Sequence, residues 1–149
     1  MKIAIIIPAY NEADLIHKTL DSLLAQTFKA EKIIVVDDGS TDETPQIIAS
    51  YAEKHPEVEL VEKNSEAAHL PGSKVVQAFN YGLNQLNTDY DLLCKFDADL
   101  IFPENYLETI KDAFSQNPKL GMYGGFCYVE RNGNWELENL TNKDHIRGA

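Results

Sequence analysis

Apolar and polar positions alternate along this chain in two distinct rhythms, and the rhythms take turns. Residues 2–7 form a continuous run rich in isoleucine, as expected of a strand covered on both faces. Pro8 stops the run, and Ala9, Tyr10, Asn11 and Glu12 make a polar loop at its end. From residue 13 to 26 the spacing changes, with Leu15, Ile16, Leu20, Leu23 and Leu24 marking one face of a helix. A second strand is predicted over residues 31–38, ending in Asp37-Asp38-Gly39-Ser40. The next helix has a candidate capping box in Ser40 and Glu43, Pro45 in its first turn, and Ile47, Ile48, Tyr51 and Ala52 on its buried stripe. Val58 to Val61 alternates as a short third strand, and residues 64–72 read as a mobile polar loop. Val75, Val76, Phe79, Leu83 and Leu86 define a third helix. A fourth strand runs through Leu92, Leu93, Cys94 and Phe96 into Asp97-Ala98-Asp99. Pro103 suits the first turn of a fourth helix that buries Tyr106, Leu107, Ile110 and Phe114. Residues 121–130 and 135–140 read as two strands joined by an Asn132-Gly133 hairpin turn.

Strand and helix in strict alternation predict an α/β fold, a mostly parallel sheet with helices on both faces, here followed by a C-terminal β-hairpin. Such sheets bind ligands at the carboxyl ends of their strands. Residues 8–12, 37–40 and 97–99 all follow strand ends, so they are expected on one edge, facing a common cleft. In an extended segment residues two apart share a side, so Asp97 and Asp99 face one ligand while Ala98 turns away. Two adjacent carboxylates repel unless a cation shares them, and hard divalent Mg²⁺ or Mn²⁺, completed by phosphate oxygens, suits such a pair. For an isolated D-x-D the alternative is two solvated aspartates in a turn; three polar loops on one edge favour the binding site.

Composition narrows the partners. The 149 residues suffice for one domain, and the formal net charge of −11 argues against binding nucleic acid through its phosphates. A nucleotide remains compatible, because a bound metal screens phosphates locally. Residues 3–7 are too short to span a bilayer and lack the flanks of a secretory signal, which predicts a cytoplasmic protein. Cys94 and Cys127 lie in apolar runs without metal-type spacing and are expected to be buried free thiols.

Five stretches in order and spacing resemble the GT-A fold glycosyltransferases that use nucleotide sugars, and among them inverting family 2. They are Ile5-Ile6-Ile7-Pro8-Ala9-Tyr10-Asn11-Glu12, residues 20–27, Ile34-Val35-Val36-Asp37-Asp38-Gly39-Ser40-Thr41-Asp42, residues 74–82, and Phe96-Asp97-Ala98-Asp99. The resemblance implies a donor site for a UDP-sugar with Mn²⁺ or Mg²⁺, transferring the sugar with inversion to a carbohydrate or lipid-linked acceptor. Pro8, Tyr10 and Glu12 would border the base and ribose. Asp38 would accept a hydrogen bond from the base, and Asp37 would support the turn. Lys74 would face the diphosphate, Asp97 the ribose or the metal's water shell, and Asp99 would ligate the metal.

Inverting transfer also needs a general base, which in the family lies downstream of the matched region. None of Glu130, Glu136, Glu138 and Asp144 sits in a base motif. The expectation is one donor-binding domain over residues 1–149, ending before the acceptor-binding segment, with the base beyond Ala149 and apolar surface that favours self-association. The full-length protein is then expected at the cytoplasmic face of a membrane. A non-catalytic nucleotide-sugar binding module is the competing reading for this stretch of chain. Sugar nucleotidyltransferases fit less well, because Pro8-Ala9-Tyr10-Asn11-Glu12 stands where they carry a Gly-rich loop.

Overall fold

The computed structural model describes residues 1–64, 73–87 and 89–138. Strands β1 (Ile3–Ala9), β2 (Lys32–Asp37), β3 (Val58–Glu62) and β4 (Leu92–Lys95) alternate with helices α1 (Ile16–Leu24), α2 (Thr44–Lys54) and α3 (Ser73–Leu83); α4 (Tyr106–Gln116) follows β4. The four strands form one parallel sheet in the order β3-β2-β1-β4. The chain winds outward from β1 through β2 to β3 and then returns to pair β4 with the other side of β1. A parallel sheet opens its crevice where the winding reverses, here beyond the carboxyl ends of β1 and β4.

Period-2 alternation in the isoleucine runs divides the core between the two faces. Ile3, Ile5, Ile7, Ile33 and Val35 pack with Ile16, Leu20, Leu23, Ile48, Leu107 and Ile110 from α1, α2 and α4. Ile6, Ile34 and Val36 point the other way, onto Ala78 of α3. At about 25 cal/mol per Å² of apolar surface removed from water, these fully buried isoleucines are the main favourable term in folding.

The face that α3 presents differs from the expected one. Val75, Val76 and Leu83 are exposed, whereas Ala78 and Gly82 meet the sheet, with Phe79 and Leu86 packed beside them. A Cβ on Gly82 would lie 2.8 Å from the Cγ2 atoms of both Ile6 and Val36, so the helix backbone rests almost directly on the strands. That close approach selects the small residues four apart and turns the valines outward.

Other boundaries moved as well. The expected strand over residues 121–130 is reduced to β5 (Tyr128–Arg131), paired antiparallel with β6 (Asn134–Leu137). Asn132 and Gly133 have φ of 51° and 79°, as the predicted Asn-Gly turn requires. Pro103 precedes α4, its carbonyl accepting the Tyr106 N–H at 3.1 Å. The Ser40/Glu43 capping box does not form. Asp42 replaces it, taking the Thr44 N–H (2.9 Å) and hydroxyl (2.5 Å) on Oδ1. Cys94 is buried and Cys127 only half-buried, both as free thiols. The expected mobile loop lies, apart from Asn64, outside the described residues, as do residues 139–140 of the expected last strand. No described helix is long and apolar enough to cross a membrane.

Candidate functional site

Three strand ends and one helix meet at a cavity of about 410 Å³. Pro8, Ala9, Tyr10 and Glu12 line it from the end of β1, Asp38 from the end of β2, Asp97, Ala98 and Asp99 from beyond β4, and Lys74, Val75 and Ala78 from α3. Seven of the eight expected site residues are therefore brought together; Asp37 is the exception. It is 4% exposed and turned into the bend, where Oδ2 accepts the Ser40 N–H at 3.2 Å. Its Oδ1 is buried with no hydrogen-bond partner among the described residues.

Hydrogen bonds between the loops explain why the β1 and β2 ends hold one shape. Asn11, at φ 53°, donates its N–H to Ser40 Oγ (2.9 Å) and accepts the Thr41 N–H on Oδ1 (2.8 Å). The Glu12 N–H goes to Thr44 Oγ1 (2.8 Å), and the Ala13 N–H to Asp42 Oδ2 (3.2 Å). Asparagine tolerates the left-handed backbone better than most residues, so the Asn11 side chain serves both the conformation and the cross-link. Asn11, Ser40, Thr41, Asp42 and Thr44 are not among the expected site residues, and the Ser/Thr/Asp density of residues 40–44 is the sequence signal that marks most of them. The Thr44 hydroxyl, through its hydrogen bond, holds the Asp42 carboxyl below the usual range.

The Asp97–Asp99 turn is fixed from α1. Buried Thr19 donates its hydroxyl to the Ala98 carbonyl at 2.7 Å, which keeps Ala98 in the core while its neighbours face outward. Ser22 Oγ accepts the Phe102 N–H (3.1 Å). Gln26, just beyond α1, donates to the Pro103 carbonyl (2.6 Å) and accepts the Leu107 N–H (2.9 Å). Thr19, Ser22 and Gln26 recur at helical spacing, a polar row beside the apolar one.

Negative charge dominates the cavity. Burial first, then the carboxylates of Asp99, Asp42 and Asp97, pushes the Glu12 carboxyl above its ordinary range. Lys95 pairs with Asp97 at 2.6 Å and Lys63 with Asp38 at 3.1 Å. Lys74 sets its ammonium 5.7 Å from the Tyr10 ring centroid, within cation–π range. No group of three His, Cys, Asp or Glu among the described residues is arranged to hold a metal unaided. Asp97 and Asp99 offer hard carboxylate oxygens that suit Mg²⁺ or Mn²⁺ if a ligand's phosphates complete the shell. On the other side of Asp99 lies a second cavity of about 480 Å³, lined by Phe96, Phe102, Tyr106, Phe126, Tyr128 and Trp135 among others.

The model of Glycosyl transferase family 2 matches residues 4–146. An uncharacterized glycosyltransferase of Rickettsia bellii is 35% identical over 134 residues, covering 88% of this chain and 18% of that protein. The poly-beta-1,6-N-acetyl-D-glucosamine synthase of Staphylococcus aureus is 32% identical over 125 residues, 83% of this chain and 28% of the synthase. Among solved structures, S. aureus TarS 1–349 superposes with a TM-score of 0.65 at 28% identity, covering 79% of this chain and 33% of TarS 1–349. TarS 1–349 has also been solved with UDP and with UDP-GlcNAc. The mannosyltransferase PcManGT of Pyrobaculum calidifontis, in complex with GDP-Man and Mn²⁺, gives 0.57 at 31% identity, over 68% of this chain and 28% of its own. The chain thus spans a third or less of each of these proteins.

Proposed function

The chain belongs to glycosyl transferase family 2, and on that premise we propose that its cavity binds the nucleoside diphosphate sugar, a UDP-sugar, of an inverting glycosyltransferase. The observation that carries the reading is the gathering of Pro8, Tyr10, Glu12, Asp38, Lys74, Asp97 and Asp99 around one cavity at the sheet's reversal point. Tyr10 offers its ring to the base, Asp38 accepts the base N–H, and Pro8 and Glu12 border the ribose. Lys74, drawn off the Tyr10 ring, meets the diphosphate. Asp97 and Asp99 would hold Mn²⁺ or Mg²⁺, which as a Lewis acid offsets the charge that develops on the departing diphosphate. The cavity's own surplus of carboxylates supports this role, since a dianionic ligand needs a cation there. The apolar cavity beyond Asp99 then gives the acceptor hydroxyl its approach.

Calorimetric titration of UDP with and without Mn²⁺, repeated on Asp99→Ala, tests the reading. The expected result is metal-dependent binding that falls roughly 10-fold or more in the variant. A folded protein that binds none of UDP, GDP and dTDP with Mn²⁺ present would sink it.

A further inference from the structure

The ion pair behind the cavity carries an inference that rests on the donor-site reading and goes further, to how the base is chosen. We infer that Lys63 is a positioning residue for nucleobase selection: paired with Asp38, it holds that carboxylate as a fixed acceptor for bases with a ring N–H. Uracil, thymine and guanine qualify, whereas cytosine and adenine do not.

Asp38 follows β2 directly, its N–H bonded to the Ala9 carbonyl at 2.9 Å. Its side chain is only 6% exposed, yet the residue lines the cavity. Lys63 is the first residue beyond β3 and is tied in place by its own N–H on the Asp37 carbonyl at 2.8 Å. From there Nζ reaches Asp38 Oδ1 at 3.1 Å, with 15% of the lysine side chain exposed. This is not a surface pair, whose partners would drift in solvent. Lys63 is not among the cavity-lining residues, so it acts through Asp38. With Oδ1 occupied by the ammonium, the other carboxylate oxygen is left to the ligand.

An ionised carboxylate only accepts hydrogen bonds. It complements N3–H of uracil or thymine and N1–H of guanine. Cytosine N3 and adenine N1 present a lone pair instead, so two acceptors would meet and both remain unpaired. Leaving buried polar groups unpaired in this way weakens binding by roughly 10- to 100-fold. Discrimination of that size requires the carboxylate to stay where it is. Without the ammonium, Asp38 would be a buried charge in a cavity already lined by Glu12, Asp97 and Asp99. It would be driven to rotate away from that position.

The test is titration of UDP and of CDP, each with Mn²⁺, into the wild type, Lys63→Met, Lys63→Arg and Lys32→Met. Lys32 forms the ion pair with Glu59 (2.5 Å) at the start of β2, away from the cavity, and controls for loss of any β2–β3 ion pair. Lys63→Gln stands in if the methionine variant does not fold. The wild type is expected to prefer UDP by about 10-fold or more. Lys63→Met should bring the two nucleotides within about 3-fold, chiefly by weakening UDP, while Lys63→Arg retains the preference and Lys32→Met leaves it unchanged. An unchanged UDP/CDP ratio in Lys63→Met overturns the inference alone, even if both affinities fall together as a purely structural role requires. A wild type that binds no UDP overturns the donor-site reading, and this inference with it.

Discussion

Gln26 offers the most direct test of how α1 supports the site. Its amide is 1% exposed and makes three hydrogen bonds: Nε2 to the Ser22 carbonyl (3.0 Å) and the Pro103 carbonyl (2.6 Å), and Oε1 from the Leu107 N–H (2.9 Å). Leu107 lies in the first turn of α4, whose N-cap residue Asn105 makes no side-chain capping bond. Gln26 therefore caps α4 from 81 residues away. Gln26→Leu keeps the approximate volume and removes the polar atoms, which leaves the Leu107 N–H and the Pro103 carbonyl without this partner. The buried Leu107 N–H is left unsatisfied at about 1–3 kcal/mol, whereas the Pro103 carbonyl keeps the Tyr106 N–H; with a small gain from apolar burial, the net destabilisation is about 1–3 kcal/mol. Urea denaturation at constant m-value reads that figure, and amide hydrogen exchange at Leu107 reads its location. Since the same segment carries Asp99, metal-dependent UDP binding should weaken with it. A variant within about 0.5 kcal/mol of wild type, with the Leu107 amide still protected, would refute the capping argument.

Two further outcomes follow from packing and burial. Gly82→Ala places a methyl 2.8 Å from Ile6 and Val36, so the strain of overpacking, about 1–3 kcal/mol, should outweigh the gain of about 1 kcal/mol in helix propensity, and thermal denaturation should show a lower Tm. Burial pushes the Cys94 thiol up to about 12, so in the native protein Cys127 should react with a thiol reagent at pH 8 while Cys94 does so only on unfolding. Because the unfolded thiol ionises near pH 9 and the folded one near 12, the Cys94 contribution to stability is complete below about pH 8.5 and declines from there to pH 12. Denaturation midpoints that fall no faster in wild type than in Cys94→Ala over that window would contradict this.

The alternation of apolar runs with helical stripes, together with the Asn132-Gly133 pair, was sufficient to determine a mostly parallel sheet, the succession of elements along the chain and the hairpin turn, while the strand order within the sheet came from the structure. Period and turn chemistry are local properties that a few neighbouring residues impose on the backbone. It also determined that the loops after β1, β2 and β4 share an edge, because parallel strands carry all their carboxyl ends to one side. Tertiary structure alone decided the rest. The periodicity of residues 75–86 marked a helix, but Gly82 could be identified as the contact only once Ile6 and Val36 were set beneath it. Asp38 was legible as a candidate ligand contact, whereas its pairing with Lys63 depends on β2 and β3 lying side by side in register. Gln26 stood at the end of the first predicted helix, within residues 20–27 of the family resemblance, and its capping of another helix was not legible there. In each case the deciding partner lies between 25 and 81 residues away in the chain or across the sheet, and only packing brings it within hydrogen-bond or van der Waals range.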